Sequence, residues 1–80
     1  MQEEDKHKEI LIKNAEQIIK ALKNAGGTST SWELKLKLRL SGSALYLALG
    51  RLEAENKIIL LPEDLNLKVS LVKSADSKKS

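Results

Sequence analysis

The chain has 80 residues, no cysteine and a formal net charge of +3. A chain of this length supports one small domain, and the absence of cysteine excludes disulfides, zinc–thiolate sites and thiol nucleophiles. The charge surplus is mild, since residues 10–72 carry nine basic and six acidic side chains, and it permits nucleic-acid binding without requiring it.

The first predicted element is a helix that follows a polar N-terminal segment, residues 1–9. Its apolar residues recur at helical spacing and predict one buried stripe, made of Ile10, Leu11, Ala15, Ile18, Ile19 and Leu22. Gly26 and Gly27 then end the helix, because glycine adopts the left-handed conformation that closes a helix C-terminus.

The next segment, residues 28–40, allows two interpretations. Its apolar residues alternate with charged ones, as in a half-buried strand; they are Trp32, Leu34, Leu36, Leu38 and Leu40. Thr30 and Glu33, however, have the spacing of a capping box, and the segment after Ser31 consists of good helix formers without a β-branched residue. We therefore expect a second helix from about Ser31, with Leu34 and Leu38 in the core and Leu36 partly exposed.

A third helix is predicted from about Ser43, after an N-cap at Ser41 and a turn at Gly42. Four residues share one side of it and are expected to pack on the other helices: Leu45, Ala48, Leu49 and Leu52. The opposite side collects Ser43, Leu47, Gly50, Arg51 and Ala54, with Tyr46 and Glu53 beside the buried stripe.

The pattern changes after Lys57 and predicts an antiparallel hairpin. Residues 58–61 are apolar and β-prone, residues 62–66 are rich in turn formers, and residues 67–72 alternate apolar and polar side chains. Leu67, Val69 and Leu71 would then face the helices. Residues 73–80 contain little apolar material and predict a disordered basic tail.

Three helices followed by a hairpin form the arrangement of a winged helix. The segment TSWELKLKLRLSGSALYLALGRLEAENKI, residues 30–58, resembles the helix-turn-helix and wing entry of bacterial regulators. Over residues 10–72 the chain is most similar to a family of small, stand-alone winged helix-turn-helix domains of prokaryotes whose function is unassigned. The resemblance implies an α+β fold, with a three-helix bundle followed by a β-hairpin wing.

For members that bind DNA, the resemblance implies that the third helix enters the major groove and that the second helix contacts phosphate. Ser43, Tyr46 and Arg51 are the candidates for the groove, and the phosphate candidates are Lys35, Lys37 and Arg39. Double-stranded DNA is the partner under this first hypothesis. Glu63 and Asp64 oppose it, because they place negative charge at the predicted wing tip.

The alternative hypothesis is a protein-interaction or homodimerisation domain that does not bind DNA. Leu36, Leu47 and Ala54 would form its interface, because a small monomer gains little by exposing such side chains. Trp32 and Tyr46 could join them as aromatic anchors, although a tryptophan beside leucines is more often part of the core.

The sequence suggests no catalytic, metal or cofactor site. His7, the one histidine, lies in the polar N-terminal segment without a convincing base or nucleophile beside it, and no glycine-rich phosphate loop is present. No run approaches the ~18–20 apolar residues of a membrane span. We therefore expect a non-enzymatic cytoplasmic protein without a small-molecule substrate.

Overall fold

The computed structural model describes the backbone of residues 2–72 and the side chains of residues 7–72. Its elements, in chain order, are α1 (Gln2–Asn24), β1 (Thr28–Thr30), α2 (Ser31–Leu38), α3 (Gly42–Ala54), β2 (Ile58–Glu63) and β3 (Asn66–Leu71). The domain is therefore α+β, with three helices and a three-stranded antiparallel sheet. The predicted disordered tail, residues 73–80, lies outside the described residues.

Helix α1 ends where the two glycines predict and begins earlier than the apolar stripe predicts. Its backbone is helical from Gln2, so the helix includes residues 2–9 of the polar N-terminal segment. At its C-terminus the Gly27 N–H donates to the Leu22 carbonyl at 2.7 Å and the Gly26 N–H donates to the Lys23 carbonyl at 3.3 Å. These two bonds form a Schellman motif, and the φ of 85° at Gly26 is a conformation that favours glycine.

Helix α2 resolves the ambiguity of residues 28–40 in favour of a helix. The capping box is present: the Glu33 N–H donates to Thr30 Oγ1 at 3.1 Å, and the Thr30 N–H donates to Glu33 Oε1 at 3.4 Å. Leu34 is buried, Leu38 packs partly buried against the core, and Leu36 is 58% exposed, each as predicted. Helix propensity and capping therefore prevail over the alternating pattern.

A three-residue turn, Arg39 to Ser41, connects α2 to α3. Arg39 adopts the left-handed conformation with a φ of 56°, and the Leu40 N–H donates to the Lys35 carbonyl at 3.1 Å. Ser41 is the predicted N-cap, since its Oγ accepts the Ala44 N–H at 3.1 Å. The chain therefore changes direction sharply, and α3 begins one residue before the predicted Ser43.

The sheet contains the predicted hairpin and one strand that was not predicted. Strand order is β1-β3-β2, so β3 is central and β2 is an edge strand. The unpredicted strand, β1, pairs with β3, with Thr28 opposite Ser70 and Thr30 opposite Lys68. Pro62 lies in β2, where an edge position tolerates a residue without an N–H.

The core lies between the three helices and one face of the sheet. Its fully buried large side chains come from every helix and from β3: Ile18, Leu22, Leu34, Leu45, Leu49, Leu52 and Val69. All four predicted core residues of α3 are buried. The prediction for Ile10 was wrong, because this side chain is 57% exposed. It lies about 100° around the helix from Leu11, which does pack on the core.

Candidate functional site

Exposed apolar side chains from α2, α3 and the hairpin turn meet around one shallow depression. Trp32, Lys35, Tyr46 and Leu65 line it, and we call these four residues the Trp32 surface. Trp32 is 55% exposed, Tyr46 is 51% exposed and Leu65 is 94% exposed. These are large apolar side chains in contact with solvent at the junction of three elements.

One local and one long-range set of hydrogen bonds place these side chains together. The capping box fixes the first turn of α2, where Trp32 lies directly after the buried Ser31. The Ser31 hydroxyl accepts the backbone N–H of Leu67 at 3.0 Å, and Ser31 is 3% exposed. Because Leu67 belongs to β3, this bond holds the hairpin, and with it Leu65, next to the start of α2.

The charges around the Trp32 surface are mixed. Lys35 Nζ lies 5.9 Å from the centroid of the Trp32 ring, a distance that allows a cation–π interaction. Glu63 and Asp64 precede Leu65 at the hairpin turn, and both are exposed. Lys35 is thus the one charged residue that lines the depression, and the acidic residues before Leu65 in the chain do not favour a polyanion.

Arg51 does not lie with the other two groove candidates. Its Nε is 3.2 Å from Glu55 Oε2, and its side chain lines a groove with Ile12 and Glu16 of α1. Arg51 thus lies on the side of α3 that borders α1, whereas Tyr46 lies at the Trp32 surface. The physical reasons are that α1 borders this side of α3 and that the i, i+4 spacing offers Arg51 a carboxylate.

The three phosphate candidates do not form one row. Lys35 lies beside Trp32, whereas Lys37 lines a different groove with Lys20 and Asn24 of α1. These two lysines are about 200° apart around α2, since each residue turns the helix by about 100°. Arg39 is exposed in the turn between α2 and α3.

The remaining groove candidates, Ser43 and Tyr46, lie in the N-terminal half of α3. Ser43 is exposed, and its Oγ is 3.5 Å from the Oγ of Ser41. Tyr46 is part of the Trp32 surface. Of the candidates proposed for DNA, the structure therefore brings Lys35 and Tyr46 together at one depression.

The predicted protein interface is only partly assembled. Leu36 lines a groove with Ala21 and Ala25 of α1. Leu47 is 52% exposed and Ala54 is exposed, and both lie on the outer face of α3. Leu36 therefore lies beside α1, whereas the other two residues lie on the outer face of α3. Sequence reasoning missed Leu65, whose signal was a large apolar residue within a turn.

Two further properties concern the described part of the chain alone. There, no three His, Cys, Asp or Glu side chains are grouped closely enough to hold a metal ion. None of the described helices combines the length and the apolar character that a membrane crossing requires.

The chain matches no protein-family model, no curated protein and no solved structure.

Proposed function

We propose that this chain is a winged-helix domain that binds another polypeptide through the Trp32 surface. Two structural features support the winged-helix assignment: the tight α2–α3 turn and the β2–β3 hairpin that follows α3. The resemblance of residues 30–58 to bacterial helix-turn-helix regulators supports it as well. In this proposal the protein is a cytoplasmic, prokaryotic binding module and not an enzyme. Its hairpin β2–β3 corresponds to the wing.

The observation that carries the proposal is the exposure of Trp32, Tyr46 and Leu65 at one place. Aromatic side chains bury about 150–250 Å² when covered, so the three residues offer on the order of 300–400 Å² of mostly apolar surface. Tryptophan and tyrosine are also among the residues that contribute most often to the binding energy of protein interfaces. Lys35, Glu63 and Asp64 would supply the polar rim.

Double-stranded DNA is the second candidate partner. Ser43 and Tyr46 favour it, because they lie in the N-terminal half of α3, the end that would enter a groove, and Lys35 lines the same depression as Tyr46. Glu63 and Asp64 disfavour it, and the ion pair with Glu55 engages the guanidinium of Arg51. A polypeptide partner would cover the exposed apolar side chains of the Trp32 surface, whereas DNA would leave them uncovered.

The direct test is site-specific photo-cross-linking of the full chain in cells of the source organism. A photoreactive residue at Tyr46 should cross-link a polypeptide, and Trp32→Ser should abolish that product. The same residue at Glu9, an exposed position on α1, is the matched control and should not give the product. The proposal would be contradicted if the residue at Glu9 gave the same amount of cross-linked product. It would also be contradicted if the product from Tyr46 persisted in the Trp32→Ser variant.

The DNA hypothesis has its own test. Duplex DNA is titrated at two salt concentrations while the backbone amide shifts are followed. Polypeptide binding predicts no saturable shifts at Tyr46, whereas DNA binding predicts shifts centred on residues 41–54 and an affinity that falls with salt. If the shifts are saturable and salt-dependent, and if Lys35→Ala reduces them, the partner is DNA and not a polypeptide.

A further inference from the structure

A continuous groove lies between α1 and α2, on the side of α2 away from Trp32. It consists of two adjoining depressions whose linings share Ala21 and Lys37. The first depression is polar and is also lined by Gln17, Lys20 and Asn24. The second is mostly apolar and is also lined by Ala25, Leu34 and Leu36. We call these residues together the α1–α2 groove.

Small residues at the end of α1 open the apolar depression. Ala21 and Ala25 are one turn apart, and the Ala25 N–H donates to the Ala21 carbonyl at 3.0 Å. Leu34 is 1% exposed and Ala21 is 7% exposed, so these two side chains form the floor. Leu36 is 58% exposed at the rim, where a partner can reach it. Covering this leucine would remove apolar surface from water and stabilise a complex.

The polar depression carries positive charge. Lys20 and Lys37 are both exposed, and no carboxylate lines this depression with them. Within residues 7–72 neither lysine belongs to an ion pair, since both of the pairs there involve Glu55. The side-chain amides of Gln17 and Asn24 add hydrogen-bond donors beside the lysines. This end of the groove therefore offers cations and donors to an anionic group.

The acidic residues nearest to these lysines in the chain do not neutralise them. Glu33 lines the apolar depression, and its Oε1 accepts the Ser29 hydroxyl at 2.9 Å and the Thr30 N–H at 3.4 Å. Glu16, one turn before Lys20, lines the separate groove that contains Arg51. The α1–α2 groove thus has an apolar end and a positively charged end.

We propose that the α1–α2 groove binds an acidic amphipathic helix of a partner protein. Residues 17–25 extend over about 12 Å along α1, which matches about two turns of a second helix. Apolar side chains of one turn cover Leu36, and carboxylates of the next turn meet Lys20 and Lys37. This site is separate from the Trp32 surface and does not depend on it.

The two ends of the groove together identify the class of partner. Lys20 and Lys37 are complementary to carboxylates, while Leu36 and the alanines require an apolar surface on the same ligand. A nucleic acid satisfies only the first requirement, because no aromatic side chain lines the groove to stack on a base. An acidic amphipathic helix satisfies both. The contact is small, so binding is weak.

The experiment titrates a synthetic peptide into the full chain while the backbone amide shifts are followed. The probe is a helical peptide with two leucines at i and i+4, followed one turn later by two glutamates. We expect saturable shifts centred on Ala25, Leu36 and Lys37, with a Kd on the order of 0.1–1 mM. Replacing the two glutamates of the peptide with glutamines should weaken binding about three- to tenfold, because two ion pairs are lost.

Variants of the chain test each end of the groove. Leu36→Ser should weaken binding at least about tenfold, whereas Leu47→Ser, at a leucine of similar exposure on α3, is the matched control and should not. Lys37→Glu should weaken binding of the acidic peptide and strengthen binding of a peptide with lysines in place of the glutamates. Lys23→Glu, at an exposed position of α1 outside the groove lining, should do neither.

Four results would overturn the proposal. The first is the absence of saturable shifts in the groove up to about 5 mM peptide. The second is binding that Trp32→Ser abolishes and Leu36→Ser does not, which would assign the peptide to the Trp32 surface. The third is duplex DNA that shifts the groove amides at lower concentration than the peptide does. The fourth is a dimeric mass in sedimentation that Leu36→Ser dissociates, which would make a second copy the occupant.

Discussion

Replacing Arg39 with glycine is expected to stabilise the domain. Arg39 has a φ of 56° and a ψ of 44° at the C-cap of α2. A left-handed conformation costs a residue with a Cβ about 1–2 kcal/mol, whereas glycine loses about 0.5–1 kcal/mol through its greater freedom in the unfolded chain. The difference predicts a net gain of about 0.5–1 kcal/mol in the free energy of unfolding for Arg39→Gly.

The side chain itself should contribute little to that difference. Arg39 is exposed, and the two ion pairs within the described residues join Glu55 to Arg51 and to Lys57. Arg39→Ala is therefore the matched control, because it removes the same charged group and retains the Cβ. Its stability should remain close to that of the natural chain.

Urea and thermal unfolding measure the effect. For a domain of this size, 1 kcal/mol corresponds to about 4–8 °C, so Arg39→Gly should raise the Tm by about 2–8 °C. Asn56→Gly should give a smaller gain, since Asn56 has a φ of 63° but asparagine tolerates this conformation better than arginine. An Arg39→Gly protein no more stable than Arg39→Ala would refute the claim that backbone strain is stored at Arg39.

Three other substitutions test the packing and the polar contacts. Leu49→Ala should lower the free energy of unfolding by about 2–5 kcal/mol because Leu49 is fully buried. Leu47→Ala, on the outer face of α3, should lower it by less than about 0.5 kcal/mol, and equal losses in urea unfolding would contradict the core assignment. Thr30→Ala should cost about 1 kcal/mol through loss of the capping box, and an unchanged unfolding midpoint would argue against that cap. Ser31→Ala should cost about 1–3 kcal/mol and accelerate hydrogen exchange at the Leu67 amide, which loses its acceptor; unchanged exchange there would exclude this bond.

The elements that depend on local signals were predictable from the sequence. Gly26 and Gly27 end α1, Thr30 and Glu33 begin α2, and Ser41 begins α3, because each acts on backbone groups within a few residues of itself. The buried stripe of α3 and the hairpin also follow from periodicity over short windows.

Strand β1 could not be predicted in the same way. It has three residues, and its Ser and Thr side chains are equally typical of a helix cap. It is a strand because β3 pairs with it, with Ser29 opposite Val69, a contact between residues far apart in the chain. Pairings of this kind have no local pattern that reveals them.

The candidate site was partly predictable. Tyr46 and Lys35 were named from the sequence, and the i, i+4 spacing of Arg51 and Glu55 was a readable sign that Arg51 would be paired. Exposure of Trp32 was less predictable, since a tryptophan among leucines usually packs inside. The approach of Leu65 to Trp32 depends on the Ser31–Leu67 hydrogen bond, which joins distant segments.

The chemical identity of what binds at Tyr46 tests the proposed function most directly. A photoreactive residue at that position would be cross-linked in cells, and the adduct would be digested and analysed by mass spectrometry. We predict a peptide adduct that requires Trp32. A nucleotide adduct at Tyr46 that persists in Trp32→Ser would contradict polypeptide binding through the Trp32 surface.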